Sequence, residues 1–166
     1  TGVDNVLIEN NFIGTDSRLG VDLSERNLGH GICVQARDLD ISNTHIQGNI
    51  VVNNALDGIR IQGIYDSNLS AGAAFPLLYH INNNLIGNLN GNDQDPITGN
   101  RYSGITLKNT FYLTPATIDH NIITNNGYGT ADNYVGDGIT LLNAWGNEIV
   151  SNYIGTTQTF SSLTSF

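Results

Sequence analysis

One short motif recurs five times in this chain and limits its fold more than any other feature. It reads apolar, two polar, asparagine, then two apolar. The copies are Ile8-Glu9-Asn10-Asn11-Phe12-Ile13, Ile46-Gln47-Gly48-Asn49-Ile50-Val51, Ile81-Asn82-Asn83-Asn84-Leu85-Ile86, Ile118-Asp119-His120-Asn121-Ile122-Ile123 and Ile149-Val150-Ser151-Asn152-Tyr153-Ile154. Self-similarity at this period marks a stacked repeat architecture. A second motif, Gly-Ile-x-apolar, falls between the copies at Gly31-Ile32-Cys33-Val34, Gly58-Ile59-Arg60-Ile61, Gly104-Ile105-Thr106-Leu107 and Gly138-Ile139-Thr140-Leu141. Each copy of the second motif has the period-2 pattern of a half-buried strand.

The spacing defines a unit. The shortest Gly-to-Asn step, Gly138 to Asn152, is 14 residues and the shortest Asn-to-Gly step, Asn49 to Gly58, is 9, so a minimal repeat has 23 residues. Longer repeats carry insertions. A unit of that size cannot bury its own apolar face, but a stack of copies can. Isoleucine then lies on isoleucine at the ~4.8 Å spacing of paired strands. The recurring asparagines, Asn11, Asn49, Asn84, Asn121 and Asn152, are expected to form a ladder. Each is expected to adopt the left-handed backbone of a sharp corner and to bond the next amide through its side chain.

Composition narrows the partners. The 166 residues carry 15 Asp+Glu against 6 Lys+Arg, a net charge of −9, and Lys108 is the one lysine. Nucleic acid and anionic membrane surfaces need clustered cations and are therefore excluded as partners. No apolar run is long enough for a membrane-spanning helix. The 24 asparagines and 19 glycines disfavour a helical bundle. Cys33 is the single cysteine, so no internal disulfide forms.

The alternating motifs resemble the right-handed parallel β-helix. The resemblance covers Val6 to Thr157 and is closest to the repeats of bacterial extracellular and surface β-helix proteins, through Asn11-Phe-Ile-Gly-Thr-Asp16, Gly29-His-Gly-Ile32 and Asn152-Tyr-Ile-Gly-Thr156. It implies an all-β solenoid of about five coils with loop insertions, filling residues 1–157 as one domain. Residues 158–166 form a Ser/Thr-rich tail. Neither end has an amphipathic capping helix. The expectation is a segment of a longer chain, or a subunit that assembles through its uncapped ends.

In enzymes resembling pectate lyases and polygalacturonases, the face built from the Gly-Ile strands holds the cleft. Here stacking brings His30, Asp57, Ser103 and Asp137 into one column, Cys33, Arg60, Thr106 and Thr140 into an outward row, and Gln35, Gln62, Lys108 and Leu142 into the next. Gly29-His30-Gly31 resembles the Gly-His-Gly motif of polygalacturonases, and Arg60-Ile61-Gln62 resembles their Arg-Ile-Lys motif, with glutamine in place of lysine. The resemblance implies His30, Asp57 and Arg60 as catalytic residues if the chain is an enzyme. A histidine, a carboxylate and a cation together can do acid–base work on a glycosidic bond. Lys108, Asp137, Tyr102 and Tyr134 are the expected binding residues for a glycan along this face. Calcium is the one cofactor with an expected place, among the oxygen donors of Asn92, Asp93 and Asp95. His45, His80 and His120 are expected at or near the polar turns. The leading expectation is an extracellular or cell-surface β-helix module, adhesin-like or filament-forming. Its expected partners are a glycan or neighbouring protein subunits. A polysaccharide hydrolase or lyase is the alternative.

Overall fold

The computed structural model describes residues 3–14, 26–36, 41–63, 77–87, 99–110, 116–127 and 136–155. The described residues contain fifteen short strands and no helix. They are β1 (Val3–Asp4), β2 (Leu7–Glu9), β3 (Phe12–Ile13), β4 (Ile32–Gln35), β5 (Ile41–Gln47), β6 (Ile50–Val51), β7 (Ile59–Gln62), β8 (Leu77–Asn82), β9 (Leu85–Gly87), β10 (Ile105–Thr110), β11 (Ala116–Asp119), β12 (Ile122–Thr124), β13 (Ile139–Ala144), β14 (Asn147–Val150) and β15 (Tyr153–Ile154). All pairings are parallel, and they build three sheets. The first sheet runs β1-β5-β8-β11-β14, with β2 also on β5; the second runs β3-β6-β9-β12-β15; the third runs β4-β7-β10-β13. The chain visits first, second and third sheets in a fixed cycle. This is a parallel β-solenoid.

The repeat motifs explain the cycle. The isoleucine opening each asparagine motif lies in the first sheet, the two apolar residues closing it lie in the second, and the Gly-Ile strands make the third. Ile8, Ile46, Ile81 and their successors stack in register. Ile46, Ile81 and Ile118 are fully buried, as are Val51, Ile86 and Ile123 from the second sheet and Ile59, Ile61, Ile105 and Leu107 from the third. Each such side chain contributes ~1.5–3 kcal/mol over an exposed one. The glycine that opens each third-sheet strand makes space. A Cβ on Gly104 would lie 2.5 Å from Cγ2 of Ile123 and 2.8 Å from the carbonyl oxygen of Gly138.

The corner between the first and second sheets is an asparagine ladder. The side-chain Nδ2 of Asn11 donates to Oδ1 of Asn49 at 3.0 Å, and the pattern repeats from Asn49 to Asn84, Asn84 to Asn121 and Asn121 to Asn152. The expected ladder is therefore present, but its backbone differs from expectation. The left-handed residues are those one position earlier: Asn10, Gly48, Asn83, His120 and Ser151, with φ of 57°, 64°, 53°, 53° and 54°. Each ladder asparagine uses its own N–H and its side chain to bond inside the stack, so the reversal of direction falls on the residue before it. A second ladder marks the corner between the second and third sheets. There Asn27, Asn54, Asn100 and Asn126 are joined Nδ2 to Oδ1 at 2.7–2.8 Å.

Inside the first sheet, Tyr79 is fully buried and its hydroxyl donates to Oδ1 of Asn147 at 2.5 Å. Ala116, also fully buried, lies on the strand between them. Its small side chain leaves the phenol room to reach across.

Candidate functional site

Third-sheet geometry follows from register. Cys33, Arg60, Thr106 and Thr140 form one row, and Gln35, Gln62, Lys108 and Leu142 form another, as the repeat spacing predicts. The residues before the glycines also stack. The N–H of Gly31 donates to the carbonyl of Asp57, that of Gly58 to Ser103, and that of Gly104 to Asp137.

His30, Asp57 and Arg60 come together on this sheet. Oδ2 of Asp57 lies 3.3 Å from Nδ1 of His30 and 3.7 Å from Nη1 of Arg60. The other oxygen, Oδ1, accepts from the N–H of Ser103 at 3.1 Å. With a side chain only 9% exposed, Asp57 is a buried carboxylate whose two oxygens are both engaged. Nδ1 of His30 is also 3.2 Å from the backbone nitrogen of Asp57, and Nε2 is 3.4 Å from Nη1 of Arg60. These contacts sort by tautomer. With the proton on Nδ1, the ring donates to the carboxylate and accepts from Arg60. With the proton on Nε2, it accepts the backbone N–H instead. Arg60 Nε donates to Oε1 of Gln62 at 3.0 Å.

A second hydrogen-bonded group lies farther along the face. Oγ of Ser103 is 2.7 Å from Oγ1 of Thr140, which donates to Oδ2 of Asp137 at 3.1 Å. The N–H of Asp137 points at Oγ of Ser103 at 3.4 Å. Through Ser103, contacts run continuously from His30 to Asp137. Lys108 is half-buried and has no ion-pair partner among the described residues. Tyr102 is half-buried, and its backbone N–H donates to the carbonyl of Leu56 at 3.3 Å. Thr106 keeps its place in the expected row by register. It is only 4% exposed, so the floor is not uniformly open. Cys33 is exposed beside Arg60. Burial of its surroundings pushes the thiol above its usual range, Arg60 draws it down, and Asp57 raises it.

Tyr134, Asn92, Asp93 and Asp95 lie outside the described residues. Among the described residues, no three His, Cys, Asp or Glu side chains converge as metal ligands. His45 and His80, expected at or near the polar turns, lie on the strands that lead into the corner. His45 on β5 pairs in register with His80 on β8, and their rings stack with centroids 5.0 Å apart. The sequence reading missed this because both residues are polar and flank the corner motif. Among the described residues no helix is long and apolar enough to cross a membrane. No family model matches the chain, and neither a curated protein nor a solved structure matches it.

Proposed function

We propose that the protein is a right-handed parallel β-helix of about five coils that serves as a structural module of an extracellular or cell-surface assembly, adhesin-like or filament-forming. Right-handedness is the strong preference of parallel strand–connection–strand units. The observation that carries the structural role is at the β13–β14–β15 end. Leu141, Ile149 and Ile154 continue inward rows whose preceding members, Leu107, Ile118 and Ile123, are fully buried, yet they are 46%, 37% and 43% exposed. An apolar cross-section bordered by strand edges suits pairing with a neighbouring subunit. Small-angle scattering and sedimentation over a concentration series test this. Elongated species that grow with concentration, and that Ile154→Lys suppresses, are expected. A compact monomer at every concentration counts against it.

The third-sheet face suits a glycan. Arg60, Thr140, Asp137 and Lys108 offer donors and acceptors at strand spacing, and the net charge of −9 favours a neutral sugar over an acidic one. The second reading, a polysaccharide hydrolase or lyase, draws on one relationship. Asp57 and Asp137 stand in one column two strand spacings apart, ~9–10 Å at the backbone, near the separation of an inverting carboxyl pair. A glycan panel assayed for binding and cleavage, with and without calcium, separates the readings. Cleavage lost in His30→Ala favours the enzyme; binding without turnover favours the module.

A further inference from the structure

The second sheet is apolar on both faces. Adjacent residues of a strand point to opposite sides, so the two apolar residues after each ladder asparagine cannot both face inward. Ile13, Val51, Ile86, Ile123 and Ile154 form the inner row. Phe12, Ile50, Leu85, Ile122 and Tyr153 form an outer row, in register across β3, β6, β9, β12 and β15. Phe12 and Tyr153 end that row and are 47% and 52% exposed, whereas Ile122 is 9% exposed. The middle of the row is the floor of a groove of about 590 Å³ along the corner between the first and second sheets. Ile50, Leu85 and Ile122 line its floor, and Gln47, Asn83 and His120 line its wall. Asn83 and His120 stand on the left-handed column and are exposed. Among the described residues, none that lines the groove is Asp, Glu, Lys or Arg. The nearby carboxylate of Asp119 is 3.1 Å from the ring of His120.

We infer that this groove is a binding site, separate from the third-sheet face, for one extended chain of a neutral linear glycan lying along the stack axis. The outer row spans four strand spacings, ~19 Å, the reach of a short oligosaccharide. Each turn offers an aliphatic side chain to the apolar face of a sugar and a polar corner side chain to its hydroxyls. Apolar contact with a few placed polar groups is the usual make-up of a small-ligand site. The carboxylates against the groove wall, Glu9 bonded to Gln47 at 2.9 Å and Asp119 beside His120, repel an anionic ligand. An acyl chain would cover the amide of Asn83 and the Gln47–Glu9 pair without bonding them, which is costly. A strip one side chain wide falls far short of the ~800 Å² per partner of a stable protein interface. Phe12 and Tyr153 continue the row with an aromatic ring in register beyond each end of the groove floor.

The test is methyl and amide NMR of the full chain, titrated with cellohexaose, a neutral extended hexasaccharide. The inference requires saturable shifts at the methyls of Ile50, Leu85 and Ile122. It also requires affinity to fall at least tenfold in Leu85→Asp and about threefold in the milder Tyr153→Ala, with the amide signals of Asn84 and Asn121 showing that the fold is kept. Shifts confined to the amides of Thr106 and Lys108 place the sugar on the third sheet, which overturns this inference and leaves that reading standing. Leu85 shifts that track protein concentration without sugar, or that decanoate produces and cellohexaose does not, overturn it in favour of a second copy or a lipid chain.

Discussion

The backbone N–H and the side-chain Nδ2 of Asn84 both donate to one atom, Oδ1 of Asn121, each at 3.0 Å. Nδ2 of Asn121 in turn donates to the carbonyl of Ile81 at 2.8 Å. Asn121→Ala therefore strands the N–H of Asn84 and the carbonyl of Ile81 around a fully buried side chain, while Nδ2 of Asn84 keeps the carbonyls of Ile46 and Asn82. Unsatisfied buried groups cost ~1–3 kcal/mol each, so a loss of ~3 kcal/mol or more is expected. Asn11 is exposed at the end of the same ladder, and Asn11→Ala should cost less than ~1.5 kcal/mol, because water replaces its bonds. Urea denaturation of both variants checks this, and equal losses would contradict a ladder graded by burial.

Gly104 and Gly29 open a contrast in space. Gly104 has a core methyl and a carbonyl within 2.5–2.8 Å of where a Cβ would sit, whereas Gly29 has nothing within 4 Å. Gly104→Ala should lower stability by ~1–3 kcal/mol through overpacking. Gly29→Ala should be neutral, or raise stability by up to ~1 kcal/mol through the unfolded chain. Thermal unfolding of the two variants decides it.

The thiol of Cys33 reports the charge around His30, Asp57 and Arg60. Its pKa is raised by burial, lowered by Arg60 and raised by Asp57. The thiolate is the reactive form, so iodoacetamide should modify Cys33 more slowly at pH 8 than it modifies a free cysteine. Arg60→Gln removes the cation and should shift the pH–rate curve upward. Asp57→Asn removes the opposing charge and should shift it downward. An unchanged curve in both variants would mean that neither side chain faces the thiol.

Two buried hydroxyls are unused. Thr44 and Thr110 are both 0% exposed, and neither Oγ1 has a hydrogen-bond partner among the described residues. Thr44→Val and Thr110→Val exchange an unpaired hydroxyl for a methyl of similar size, and each should raise stability by ~1 kcal/mol. A loss in chemical denaturation would indicate a bond through water.

Much of this architecture is legible in sequence because one turn is so nearly a copy of the next. The asparagine motif located the first ladder and the core rows, and the Gly-Ile motif located the third sheet with its rows in register. The second ladder was not legible. Its rungs Asn27, Asn54, Asn100 and Asn126 are 27, 46 and 26 residues apart, because insertions of different lengths fall between them. The backbone reversal was placed one residue late, on Asn84 instead of Asn83. A ladder side chain cannot hold the inside of the corner while its own backbone turns outward. On the site, spacing brought His30, Asp57 and Arg60 together. It did not show that Ser103, His30 and Arg60 already occupy both oxygens of Asp57. Such closure depends on side-chain directions that a repeat pattern does not specify. The outer apolar row was present in each motif as a second hydrophobic letter, but its groove exists only once the corner column stands beside it.

The unvarying order in which the chain visits its three sheets makes length an adjustable quantity. Strands pair only with those one turn before and after, so a whole turn can be added or removed without a new kind of contact. Each change alters the reach of the rod by one strand spacing, ~4.8 Å. Gene segments coding for such turns can thus be duplicated or lost as units, and the length of the stack is graduated in single turns.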